Sequence, residues 1–309
     1  MKKIILISLL LSLVVGISWA ESLTEKLERF GTENGEAYIN PWVTAFGTSL
    51  NTGLYQSAKV LKPFLFGVNI NNMALFVPEE DQTFTLTSPT INGINIWEDE
   101  ELESATCFGD KGATVTFKDD IGRLLDPKLP NGADISTLPM FIPQVNMGLP
   151  FGNEIMLRGF PKMELQKDIG DFSFWGVGLK HSLDQYIPLV PIDLAVQAAY
   201  QQMSFADVID IDSFAANMHI SKKLLMWTLY GGVGYENTNM EVKFDGVSYD
   251  VDENGDIIIV PTEIKFDLEG ENEYRATAGI RYSFLLAKIY ADYTISKYQV
   301  LNLGVGLSF

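Results

Sequence analysis

The sequence predicts an all-β chain: a transmembrane antiparallel β-barrel of about 12–14 strands with a short helical N-terminal segment. Three observations point there. Segments of about ten residues alternate apolar with small or polar residues over most of the chain. No long apolar stretch follows the first twenty residues. The chain also closes on such an alternating segment, with Phe309 as its final residue.

The first element is a leader. Lys2-Lys3 opens it, an apolar run fills 4–17, and Ser18-Trp19-Ala20 is a small-x-small cleavage site before Glu21. That is the pattern of a secretory signal peptide cut after Ala20. The run is short for a membrane-spanning helix. The only cysteine is Cys107, so the cleavage site offers no lipid acceptor and the fold no internal disulfide.

Residues 21–60 follow helical spacing. Ser22-Leu23-Thr24-Glu25 matches a capping box, with Leu23, Leu27 and Phe30 on one face. Asn40-Pro41 reads as an N-cap and first helical position, and Trp42, Phe46 and Leu50 recur every fourth residue. Gly53 suits a helix end. One or two short helices are expected. Trp42, Phe46 and Leu50 form a plug candidate, a stripe for the lumen or its mouth. A periplasmic helix packed under the barrel fits the same residues.

From about residue 61 the period becomes two: Phe64, Phe66, Val68 and Ile70 alternate with Leu65, Gly67 and Asn69. Residues 72–77 and 113–118 are strand-like. The stretch 79–111 is acidic and poorly periodic, and 119–138 carries turn signals. Strands are then expected at 139–149, 152–160, 171–181, 191–204, 211–221, 224–236, 272–284, 286–295 and 298–309. Connections alternate between tight and long, as is expected of outer-membrane barrels, except that the short Ser296-Lys297 turn falls on the long-loop side. The division is therefore 1–20 leader, 21–60 helical segment and 61–309 barrel.

The last strand places Leu303, Val305, Leu307 and Phe309 on one face. A barrel in lipid has to pair its last strand with its first, or leave polar backbone unsatisfied. A terminal Phe with alternate apolar residues before it resembles the signal read by the bacterial outer-membrane assembly machinery. That machinery, outer-membrane lipids and lipopolysaccharide are the expected partners, and the bacterial outer membrane the expected location.

The net charge of −18 excludes nucleic acid, whose phosphates need a basic surface. The acid clusters at 78–81, 98–103 and 250–273. Asp250, Asp252, Asn254 and Asp256 match the first half of a calcium loop, but Pro261 stands where the bidentate Glu belongs. A hairpin tip with an Asn-Gly turn accounts for the same residues. No cofactor is expected, with Ca²⁺ at this tip as the one candidate.

Four segments carry a resemblance: AYINPWVTAFGTSLNTGLYQSAK (37–59), TCFGDKG (106–112), PQVNMGLPFGNEIMLRGFPK (143–162) and FSFWGVGLKHSLDQYIPLVPIDLAVQAAYQ (172–201). They resemble an uncharacterised family of bacterial outer-membrane barrels. In layout alone, the chain distantly resembles the long-chain fatty-acid transporter family, which implies a helical start and about fourteen strands. The resemblance implies a barrel and a location, and no substrate.

Alternation assigns Glu154, Arg158, Lys180, Asp193, His219, Arg275, Arg281, Lys288 and Asp292 to the lumen. On the lipid face, Arg or Lys at mid-bilayer would cost about 2–4 kcal/mol. Mixed signs inside fit a structural ion-pair network or a constriction that selects a solute. No enzyme is expected: G-x-S-x-G, HExxH and P-loop motifs are absent. His181 and Ser182, with Asp184 nearby, are adjacent on a strand and so face opposite ways. The expected role is a channel or transporter for a small molecule, hydrophobic ones included. The alternative is a closed barrel with a structural, adhesive or envelope-integrity role.

Overall fold

Successive side chains on a strand leave opposite faces, so an alternating segment can serve two environments at once. The computed structural model, which describes residues 20–88, 90–91, 94–95, 102–118, 124–125, 128–166, 170–187, 190–205, 208–251 and 257–309, arranges such segments in a closed ring. The strands are β1 (Phe66–Phe76), β2 (Thr137–Leu149), β3 (Asn153–Gln166), β4 (Gly170–Ser182), β5 (Asp193–Phe205), β6 (Ile209–Leu224), β7 (Trp227–Val251), β8 (Ile257–Glu269), β9 (Tyr274–Phe284), β10 (Ala287–Ile295) and β11 (Gln299–Ser308). Each wall strand pairs antiparallel with the next, β7 passing directly to β9, and β11 returns to β1. The seam is complete to its end: Phe309 N–H donates to Phe66 O at 2.8 Å.

The fold class is as the alternation predicts, but the wall has ten strands rather than 12–14. Three features account for the difference. β1 runs unbroken through what read as two segments. Residues 113–118 lie in the insert between β1 and β2, where Thr114 bridges Lys128 and Phe117–Lys118 meets only Leu124–Leu125. β8 pairs solely with the distal half of β7, from Asn239 to Val251, as a hairpin beyond the ring. Ten is also fewer than the fatty-acid transporter layout implies.

Short turns at 150–152, 225–226 and 285–286 share one rim with the start of β1 and the end of β11. This is the lower rim. The β1–β2 insert and the β7–β8 hairpin rise from the opposite, upper mouth. Apolar side chains cover the outside: Val177, Met218, Val233, Ile289, Leu303, Val305 and Leu307 are all exposed. Aromatics border them. Trp227 meets Tyr282 at 4.8 Å near the lower rim, and Tyr235 meets Tyr274 at 5.9 Å higher up. Eight residues of β7 separate these pairs, roughly 26 Å along a strand. Tilted by about 40°, that height approaches the roughly 25 Å apolar band of membrane barrels. Tyr298, just before the last strand, is instead buried.

α1 (Ala20–Leu50) is one helix of 31 residues, not two short ones. Ser22, Asn40 and Pro41 therefore lie inside it. An interior proline loses a backbone hydrogen bond and costs about 3 kcal/mol. Packing on several sides offsets that cost: Tyr38, Ile39, Val43 and Ala45 are fully buried. Their neighbours are Phe108 of the insert and Met203, Ile211, Met240 and Val242 of the wall, a single apolar core at the upper mouth. Cys107 joins it and donates its N–H to Tyr38 O at 2.9 Å. Contact with the β7–β8 hairpin is close: a Cβ on Gly47 would fall 2.2 Å from Thr238 Oγ1. The leader residues 1–19 lie outside the described residues.

Candidate functional site: the lumen of the barrel

Below the helix the chain does not leave the barrel. Gly53, with φ +69°, turns it where a Cβ would meet Asn71 Oδ1 at 2.7 Å. Residues 51–65 then descend through the lumen to β1. Their partners on β6 mark the descent. Asn51 donates to Ser213 Oγ at 2.8 Å, Tyr55 stacks on His219 at 4.0 Å, and Ser57 meets Ser221 at 3.1 Å. At the lower rim Leu61 N–H donates to Glu154 at 2.8 Å, and Phe64 N–H to Gly148 O at 2.8 Å.

The nine charged or titratable residues assigned to the lumen lie on strands β3 to β10 of the wall. Glu154, Arg158, Lys180, His219, Arg275 and Asp292 are buried, and Asp193, Arg281 and Lys288 are half-buried. They do not form one cluster. Glu154 and Lys180 stand directly opposite in the β3–β4 register and pair at 2.8 Å. Asn146 Nδ2 also donates to Glu154, at 2.9 Å. Arg275 pairs with Glu236 at 2.9 Å and donates to Thr52 Oγ1 at 2.9 Å. Asp292 accepts from Tyr230 at 2.8 Å and Asn302 at 2.9 Å.

Arg158 holds no carboxylate. Its guanidinium donates to Leu50 O at 2.8 Å, Thr52 O at 3.0 Å and Gln201 Oε1 at 3.2 Å. Leu50 is the last residue of α1, whose final carbonyls lack intrahelical partners and carry partial negative charge. A buried cation at that point satisfies both needs. The wall thus caps the helix and fixes where the descending segment begins.

Of the plug candidates, Trp42 and Leu50 are buried and Phe46 packs against the same core. Trp42 and Phe46 meet edge to face at 5.5 Å, at the upper mouth rather than under the lower rim. What fills the lumen is the segment after them. Its residues Thr52, Tyr55 and Ser57 escaped sequence reading because a non-repeating coil has no period. Glu236 was missed although Gly232, Gly234, Glu236 and Thr238 follow the inward period of β7.

Leu303, Val305, Leu307 and Phe309 all point outward and are about half exposed, between 47% and 56%. Asp252, Asn254 and Asp256 lie outside the described residues, so the calcium-loop reading does too; Asp250 lies on β7. Among the described residues no His, Cys, Asp and Glu group is arranged to hold a metal. His181, Ser182 and Asp184 do not converge. Ser182 donates to Asp184 at 2.8 Å, whereas His181 bonds Asn153 at 2.8 Å and Tyr186 at 3.1 Å.

Several solved structures are similar to this chain. The Escherichia coli outer-membrane protease OmpT shares 11% identity over 82% of this chain and 99% of its own, with a TM-score of 0.31. The transport unit of the Escherichia coli autotransporter AIDA-I shares 7% over 87% and 99%, at 0.29. The N-terminal barrel domain of Pseudomonas aeruginosa OprF shares 14% over 51% and 98%, at 0.23. No curated protein matches. A family model does match, over residues 1–309, and the chain accordingly belongs to that family, described as a family of unknown function (DUF6588).

Proposed function

We propose that this protein is an outer-membrane barrel closed at rest by its own N-terminal segment, and that it anchors the acidic helix-and-loop cap at the upper mouth. One observation carries the reading. Residues 50–61 are hydrogen-bonded to β1, β2, β3, β5, β6 and β9, on all sides of the lumen. A cavity beside them, reaching from Leu54 to Ser308, holds about 30 Å³. That is room for about one water molecule, too little for a solute path.

The short turns of such barrels face the periplasm, so the cap would stand on the outer side. The apolar exterior supports insertion among outer-membrane lipids. The outward Leu303, Val305, Leu307 and Phe309 suit delivery by the barrel assembly machinery.

The test is conductance of the refolded mature protein in a planar bilayer, beside a variant lacking residues 21–62. Silence from the intact chain and current steps from the variant are expected. Steps from the intact chain would sink the reading.

A gated conduit is the second reading, favoured by how the segment is held. Hydrogen bonds dominate, and those are exchangeable for water. The lining of Asn69, Gln144, Asn146, Gln197 and Gln201 favours a polar solute over the hydrophobic one anticipated from the sequence. Conduction that starts in the intact chain when a polar solute is added would favour this reading.

A further inference from the structure

We propose that the lower end of the lumen binds a small oxyanion, of the phosphate or carboxylate type, at a site built by Lys180, Arg281 and Lys288. The chain carries 40 acidic residues against 22 Lys and Arg, yet this cavity inverts the balance. The cavity of about 30 Å³ there is lined by Lys59, Lys180, Arg281 and Lys288 and by a single carboxylate, Glu154. Four cations against one acid leave a surplus of three positive charges.

The surplus is not consumed by the protein. Glu154 is committed to Lys180, to Asn146 and to the N–H of Leu61. The other nearby acid, Asp193, accepts from Ser221 at 3.2 Å. Arg281 donates to Thr228 Oγ1 at 3.2 Å, while its Nε is buried without a partner. Ser308 Oγ, also lining the cavity, is buried without a partner. Lys288 makes no ion pair or hydrogen bond among the described residues, and it lines the same cavity as Arg281 and Lys180, with Glu154 as the one carboxylate there.

Like charges gathered around one polar cavity, with donors unspent, suit an anion. The space admits one anionic oxygen, about the size of a water. The remainder of a phosphate or carboxylate then stands toward exposed Lys59. The site does not depend on whether the barrel conducts.

The test is titration calorimetry on the refolded full chain in detergent, with inorganic phosphate in one arm and acetate in the other, at constant ionic strength. Saturable one-to-one binding in either arm is expected, and the stronger arm identifies the oxyanion. A charge-assisted hydrogen bond is worth about 1.5–3 kcal/mol, so Lys288→Gln is expected to weaken binding about ten- to hundredfold. Lys288→Arg keeps the charge and should bind within a few-fold of the wild type. If Lys288→Gln fails to fold, Lys59→Gln at the exposed edge reads the same field with a few-fold loss. Absent saturation in both arms, a signal equalled by chloride, or unchanged affinity in Lys288→Gln and Lys59→Gln would each overturn the proposal.

Discussion

The two faces of the wall differ more than any two segments of the chain, although neighbouring residues build both. On β11, Leu301, Leu303, Val305 and Leu307 lie against the surroundings, while the alternate residues Val300 and Asn302 are fully buried. On β6, Phe214, Met218 and Ile220 face out and Ser213, Asn217, His219 and Ser221 face in. The lipid side needs no partner for any side chain. The inner side needs one for nearly every side chain, because a buried polar group without one costs about 1–3 kcal/mol. The same kind of substitution should therefore have opposite costs on the two faces.

The largest expected effect is inside. Glu236→Leu leaves Arg275 buried and unpaired, and breaking such a pair from one side costs about 3–5 kcal/mol. Urea midpoints of the refolded protein in detergent would show it. A loss under about 1 kcal/mol would mean that water, not Glu236, solvates Arg275. Next comes the mirror experiment. Leu303→Arg puts a charge on the lipid face and should cost about 2–4 kcal/mol in lipid vesicles. The same variant with an equal loss in detergent alone would point to damaged strand pairing and blur the contrast.

Arg158→Met should follow, at a net cost of about 1.5–3 kcal/mol: charged hydrogen bonds are lost, and burial of the apolar side chain offsets much of that loss. Its signature is local: amide exchange should quicken at residues 50–58 and stay slow in the wall. Uniform quickening would show that the descending segment and the ring unfold as one unit.

The smallest effect lies outside both faces, in the cap. Burial holds the Asp81 carboxyl above its ordinary value of 3.8, against the opposing hydrogen bond from Tyr298 and the pull of Lys297. A raised folded value means that the native state holds this proton more tightly than the unfolded chain. Its contribution is full below about pH 3.9 and declines as pH rises through the raised value. Asp81→Asn should flatten the thermal midpoint across that window and leave the wall unaffected. An unchanged profile would put the titration elsewhere.

The alternation made the two faces legible because register carries the signal residue by residue. It placed Glu154, Lys180 and Arg275 on strands without any knowledge of their partners. It could not count strands, since a hairpin such as β7–β8 alternates equally well beyond the ring. The single helix was hidden by Pro41, whose local preference yields to the burial of Tyr38, Ile39 and Val43. Residues 51–65 were illegible for a different reason. Their place is set by wall residues 100 or more positions away, such as Arg158 and Ser221, and nothing local in the coil records that.

The descending segment also constrains how the barrel can be made. It connects a bulky helix at one opening to the first strand at the other, inside a ring whose join lies between that strand and β11. A ring already shut would have to admit α1 through a bore that a single extended chain fills. The order follows from geometry: the thread is laid while the sheet is still open, and the join between β1 and β11 zips around it. The N-terminal segment is then a mandrel on which the cylinder is wound, and a chain lacking it must find its curvature some other way.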